Sequence, residues 1–182
     1  MKTLHLMLCL VTLAAVGCGG RNAGSSTSAS AATPRIAGVR GEVEVRFPGD
    51  WLPYVENDPF DLLWVRKQSH LTTGLFVYDK AHPVKLSADA TLQHHVDEIR
   101  SEHTNFAIVK DRTEKQIDNR TLVTVVCRGD NSDQKGAHYR VTLVKFSDSK
   151  VFVVAVQGGD PQDFQQAEPV FAEITDSISR PK

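Results

Sequence analysis

Cysteine is scarce in this chain. Its 182 residues hold three, Cys9, Cys18 and Cys127. They are too few and too scattered for a disulfide-stapled fold, so any folded part must rely on a hydrophobic core. A surplus of positive charge is also missing, with 21 Lys+Arg against 22 Asp+Glu. Without a basic stripe there is no electrostatic footprint for nucleic acid, and no nucleic-acid partner is expected. No apolar run reaches the ~20 residues that a spanning helix needs. The chain has neither a Gly-x-Ser-x-Gly elbow nor a Gly-rich phosphate loop. The two catalytic signatures easiest to read are therefore absent. No internal repeat is visible.

What is present begins at the N-terminus, in residues 1–20, MKTLHLMLCLVTLAAVGCGG. Lys2 gives a positive start. Residues 4–16 are apolar apart from His5 and Thr12. That length suits the apolar region of a signal peptide and is too short for a membrane span. The run ends in Ala15-Val16-Gly17-Cys18, small residues before a cysteine. This resembles the lipobox of bacterial lipoproteins. The resemblance implies that residues 1–17 are removed, that Cys18 is lipidated and becomes the first residue, and that several acyl chains anchor it. A single chain would hold only marginally. It also implies a cell-envelope location. Gly19 is not the Asp that favours inner-membrane retention in enterobacteria, so the outer membrane facing the periplasm is expected. Lys2 is the only charge before Cys18, which leaves 20 Lys+Arg and 22 Asp+Glu behind it.

Residues 19–33, GGRNAGSSTSASAAT, contain no Leu, Ile, Val or aromatic residue. Such a stretch buries nothing and behaves as a flexible coil of roughly 20–25 Å mean reach. The expected organisation is a signal peptide at 1–17, a lipidated cysteine and tether at 18–35, and one domain at 36–182. That remainder has the usual length of a single domain.

Within the domain, residues 42–47 (EVEVRF) alternate with period two and predict a half-exposed strand. Pro48-Gly49-Asp50 turns the chain into Trp51, whose indole is read as a core anchor. Residues 52–59 carry two prolines and read as irregular. Residues 60–67 and 74–80 predict two strands apolar on both faces, hence central. Residues 87–103 predict a helix with Ser87 as N-cap, Asp89 in its first turn, and a stripe of Leu92, Val96, Ile99 and His103. Four strands follow at 106–117, 120–128, 137–147 and 151–157. The first is polar enough to be an edge. Asp160-Pro161 opens a second helix, with Asp as N-cap and Pro in the first position. Its stripe is Phe164, Ala167, Phe171, Ile174 and Ile178, and Pro169 is expected to kink or restart it.

Two short patterns stand out in this order: Phe47-Pro48-Gly49-Asp50-Trp51 near the start, and Phe171, Ile174, Ser177 and Ile178 at the end. Together they resemble the PsbP/Mog/DcrB-like superfamily across residues 41–180. The resemblance implies an α+β fold, an antiparallel sheet flanked by helices in an α/β/α sandwich. It also implies a mostly non-enzymatic role in binding partners. It carries over no site residues.

Each chemically suggestive group has a simpler reading. His94 and His95 are adjacent, so they point about 100° apart on a helix, and His95 and His103 are more than two turns apart. With His70 and His82 they form no recognisable zinc spacing, and no metal is expected. Asp130-Asn131-Ser132-Asp133 fails the EF-hand pattern at the fifth, sixth and twelfth positions. Arg128-Gly129-Asp130 spells an adhesion tripeptide but reads as part of a hairpin turn. Asn119-Arg120-Thr121 is a glycosylation sequon only in the right host. Cys127 shares a strand face with Val123 and Val125, a setting that raises a thiol's pKa. No catalytic residue and no cofactor is expected. The leading expectation is a non-enzymatic protein held to the membrane through Cys18 that binds an envelope protein. The alternatives are a hydrolase assembled only in three dimensions, and a histidine-based metal or small-ligand binder.

Overall fold

The structure, a computed structural model, describes residues 33–54, 59–67, 69–81 and 85–181. The expected signal peptide, Cys18 and the tether up to residue 32 lie outside the described residues, as does His82. What is described is mostly antiparallel sheet with two helices.

A hairpin comes first, β1 (Arg35–Val39) against β2 (Val43–Phe47). β1 begins at Arg35, at the edge of the expected tether. It was not legible as a strand, because Ile36 is 63% exposed and the segment has little apolar alternation. Its turn needs left-handed backbone at Arg40 (φ 54) and Gly41 (φ 70). Val43, Val45 and Phe47 are fully buried, as the alternation of β2 predicts.

A seven-stranded sheet follows in the order β3-β4-β5-β9-β8-β7-β6, antiparallel throughout. Its strands are β3 (Trp51–Pro53), β4 (Leu62–Arg66), β5 (Thr72–Tyr78), β6 (Thr104–Ile117), β7 (Arg120–Asp130), β8 (Ala137–Phe146) and β9 (Phe152–Gly159). Residues 51–53, expected to be irregular from Leu52 on, form the short edge strand β3. An edge strand tolerates Pro53 because no neighbour needs its missing N–H. β4 is only partly buried rather than covered on both faces, since it lies second from that edge. β6 is the opposite edge, as its polarity predicts. Three register shifts break its pairing with β7, which blunts the edge against further pairing.

The helices are α1 (Ala88–Glu102) and α2 (Pro161–Ser177). Ser87 Oγ accepts from Ala90 N at 3.2 Å, and Asp160 Oδ1 accepts from Gln162 N and Asp163 N at 3.0 and 2.9 Å. Both expected N-caps are therefore in place. α2 runs through Pro169 without restarting. Pro169 removes one helical hydrogen bond. Phe164 and Ala167 before it, and Phe171 and Ile174 after it, are all buried and hold the two halves on one surface.

Neighbouring residues on the central strands go to two separate apolar clusters. Leu75, Val77, Leu122, Val126, Val144, Val153 and Ala155 join the β1–β2 hairpin and α2. Phe76, Val123, Val125, Val141, Leu143, Val154 and Val156 join α1. This strict alternation is the two-sided burial that the strands' composition predicts.

Candidate functional site

α2 packs over β8 and β9, and a groove lies between it and the β6 edge of the sheet. Register fixes what lies on the groove's floor and wall. Lys110 pairs with Val126, Thr113 with Thr124 and Lys115 with Leu122, from β6 to β7. Val126 pairs in turn with Arg140 on β8, and Arg140 with Gln157 on β9. Leu122, Val126, Val144 and Phe146 all belong to the α2 cluster. By alternation, Arg140 points to the same side. The groove holds about 460 Å³, and Glu168, Pro169 and Asp176 of α2 form its other wall.

Arg140 is the unusual member. Its side chain is 12% exposed, and its Nε is buried without a hydrogen-bond partner. Its Nη1 lies 3.8 Å from Glu168 Oε1, and Lys110 Nζ lies 3.9 Å from the same oxygen. Both separations exceed hydrogen-bond length. Lys115 Nζ is better served, at 2.6 Å from Asp176 Oδ2. Burial pushes the Arg140 guanidinium below its ordinary pKa, against the pull of Glu168 and Asp176. Across the strand pair, Gln157 gives its Nε2 to Phe171 O at 3.0 Å, while its Oε1 has no partner. Pro169 lacks an N–H, so the Gln165 carbonyl has no donor four residues on. Incompletely satisfied polar groups thus gather beneath and beside the middle of α2.

This groove was missed by sequence reasoning. Its cations come from β6 and β8 and its acids from α2, which share no local motif. One signal was available: Arg140 sits in phase with Thr142, Val144 and Phe146 on a strand buried on both faces. A cation in that phase is out of pattern.

The histidines do other work. His95 is 5% exposed and stacks on Phe76, ring centroids 4.5 Å apart. Its Nδ1 lies 3.3 Å from Glu98 Oε2, and its Nε2 is 2.9 Å from Tyr78 Oη. His103 caps the C-terminus of α1, its Nδ1 2.7 Å from the Ile99 carbonyl and its Nε2 2.8 Å from Tyr139 Oη. In a neutral ring that places the proton on Nδ1 and makes Nε2 the acceptor of the tyrosine hydroxyl. Each ring is thus tied to a tyrosine, and α1 is pinned to the sheet at its middle and at its C-terminus. His94 faces outward beside Glu98 at 3.3 Å. His70 lies in the turn before β5. Among the described residues no three His, Cys, Asp or Glu side chains converge on a point that could hold a metal ion.

Cys127 is fully buried, and burial pushes its thiol up to about 12. Asp130 accepts from Asn105 Nδ2 and Gly136 N, each at 2.7 Å. The Asn105 bond and then the Gly136 bond hold it below the usual carboxylate range. Asn131 Oδ1 accepts from Asp133 N and Gln134 N. These groups build the β7–β8 hairpin. A second hollow, about 810 Å³, lies by Arg40 and Arg180. Arg40 pairs with Asp61 there, and Arg180 lies 3.5 Å from Glu42.

No protein-family model and no curated protein sequence matches this chain. Solved structures do match its fold. Cyanobacterial PsbP (CyanoP) from Synechocystis sp. PCC 6803 superposes with a TM-score of 0.59 at 9% identity, over 87% of this chain and 98% of that one. The Ran-binding protein Mog1p of Saccharomyces cerevisiae superposes with a TM-score of 0.56 at 10% identity, over 82% and 96%. The class is therefore an antiparallel sheet carrying two helices. Within that class the fold is PsbP/Mog1-like. At these identities the likeness is one of fold.

Proposed function

We propose that this chain is a lipid-anchored, non-enzymatic partner-binding protein of the bacterial cell envelope. Cys18 carries the lipid, the stretch up to Arg35 is the tether, and a three-layer α/β/α domain is held on the periplasmic side of the outer membrane. Two apolar clusters, each with its own helix, support the three layers. The anchor rests on the lipobox-like Ala15-Val16-Gly17-Cys18.

Partner binding is carried by one observation. The α2 groove presents Arg140, a largely buried cation whose donors the domain itself leaves incompletely satisfied. Burying a polar group costs free energy unless something completes its hydrogen bonds. The fold adds support, because Mog1p, which shares it, is a Ran-binding protein. A non-enzymatic role is supported by buried His95 and half-buried His103, whose Nε2 atoms meet tyrosine hydroxyls rather than a serine or thiol.

Two measurements test this reading. Cys18→Ala moves the protein from the membrane fraction to the soluble fraction; unchanged membrane recovery defeats the anchor. In-cell cross-linking of the full chain, followed by mass spectrometry, recovers a specific envelope protein. Recovery of only abundant bystanders, equal to those of an unrelated lipoprotein, defeats partner binding.

A further inference from the structure

We propose that the α2 groove is a receptor for a carboxylate carried by an acidic segment of a partner protein, gripped by Arg140. This rests on the partner-binding reading and gives it a chemistry.

Arg140 stands on a central strand, so its position is rigid. Its guanidinium has the planar fork that matches a carboxylate with two parallel bonds. The domain offers it one carboxylate, Glu168, whose Oε1 lies 3.8 Å from Nη1. That oxygen is also 3.9 Å from Lys110 Nζ, so two cations share one acceptor and neither is hydrogen-bonded to it. Glu168 is thus a placeholder at the mouth of the site. Its side chain is 45% exposed on α2 and free to swing away.

Charge selects the ligand. Lys110, Lys115 and Arg140 face Glu168 and Asp176 across the groove, and Lys115 is neutralised by Asp176 at 2.6 Å. With Glu168 in place one positive charge is left over, and a singly charged carboxylate that takes the place of Glu168 restores that same balance. Size selects the carrier. A groove of about 460 Å³ is far larger than a lone small anion needs, and it runs open along α2. An acidic peptide segment fills it, with its carboxylate at Arg140 and its backbone beside the exposed residues of β6.

The test uses the full-length chain in detergent and fluorescein-labelled hexaglutamate, followed by anisotropy. The wild type binds saturably. Arg140→Lys keeps the charge but removes the fork, and it weakens binding at least about tenfold. Glu168→Gln removes the placeholder's charge and tightens binding several-fold. A merely structural arginine would give no such tightening. Should Arg140→Lys melt early, Glu168→Gln decides alone, because it leaves the guanidinium in place. Equal binding by wild type and Arg140→Lys in a folded protein overturns the proposal, as does a Glu168→Gln protein that binds no tighter. Displacement of the peptide by equimolar inorganic phosphate overturns it in favour of a phosphate site. Arg140-dependent binding to phosphatidylglycerol vesicles overturns it in favour of lipid headgroups. Cross-linking separates the two readings. A partner recovered equally by wild type and Arg140→Lys leaves partner binding standing and removes the groove from it.

Discussion

Trp51 and Phe171 meet edge to face, their ring centroids 6.1 Å apart. The contact joins the two sequence patterns that resemble the PsbP/Mog/DcrB-like superfamily. Trp51 N donates to Pro48 O at 3.0 Å, closing the turn that delivers the indole to the sheet's edge. Phe47 lies 6.0 Å from Trp51 and stacks on Trp64 at 4.2 Å. Phe164, about two turns of α2 earlier, lies 5.2 Å from Phe171. One aromatic cluster thus ties the hairpin, the β3 edge and α2 together. The short patterns are legible because they build this junction.

Trp51→Ala and Phe171→Ala each remove a fully buried ring, and each is expected to cost about 3–5 kcal/mol. The double variant should cost less than the sum by about 0.5–1.5 kcal/mol, the coupling of an aromatic pair. Urea denaturation of the four proteins measures it. Additive losses would mean that the rings do not support each other.

β1 should matter although it is mostly exposed. It carries Val39, 3% exposed, and Ala37, which packs against the same cluster as α2. A chain beginning at Thr33 is expected to unfold in one cooperative transition. A chain beginning at Gly41 loses β1 and the burial of Val39, about 1.5–3 kcal/mol for that side chain alone. Equal melting temperatures for the two would show that β1 is an ornament on the tether.

Residue order alone disclosed much of the fold. The alternation of β2, the apolar runs of β5 and β9, the polar edge β6 and the capped starts of α1 and α2 are local patterns, and local patterns survive in one sequence. β1 and β3 escaped because pairing and edge position, rather than composition, make them strands. Pro169 does not restart the helix, because the buried stripe on either side outweighs one missing hydrogen bond. The groove escaped for a different reason. Lys110, Arg140 and Glu168 come from three elements and meet only through register and helix crossing. Only the inward phase of Arg140 was written in the chain.

Alkaline pH should loosen the domain through its tyrosines. Burial pushes Tyr78 and Tyr139 up from 10.0 to about 12, with Glu98 adding to the shift at Tyr78. The neutral form is favoured in the folded state. The stabilisation is therefore complete below pH 10 and is lost as pH rises from 10 to about 12, where the unfolded chain ionises first. Tyrosinate absorbance should show these two rings resisting ionisation until unfolding, and denaturation midpoints should fall through the same window. Tyr139→Phe removes one contribution and also leaves His103 Nε2 without its donor, a cost of about 1 kcal/mol at neutral pH. Ordinary titration of both rings in the folded protein would contradict their burial.

Gly129 separates a structural reading of Arg128-Gly129-Asp130 from an adhesive one. It lies on β7 opposite Ala137, where the chain passes under the end of α1. A methyl group there would stand 2.6 Å from His103 Cβ and 3.2 Å from its ring. His103 has little freedom to yield, because its Nδ1 is tied to the Ile99 carbonyl and its Nε2 to Tyr139. Gly129→Ala is therefore expected to destabilise the domain by about 1–3 kcal/mol, the usual range for overpacking. The cause can be isolated. In a His103→Gly background the clashing Cβ is gone, and the same substitution should cost much less. Denaturant titrations of the two single variants and the double variant give the coupling directly. An undiminished cost in the His103→Gly background would place the strain in the β7 backbone and detach Gly129 from the end of α1.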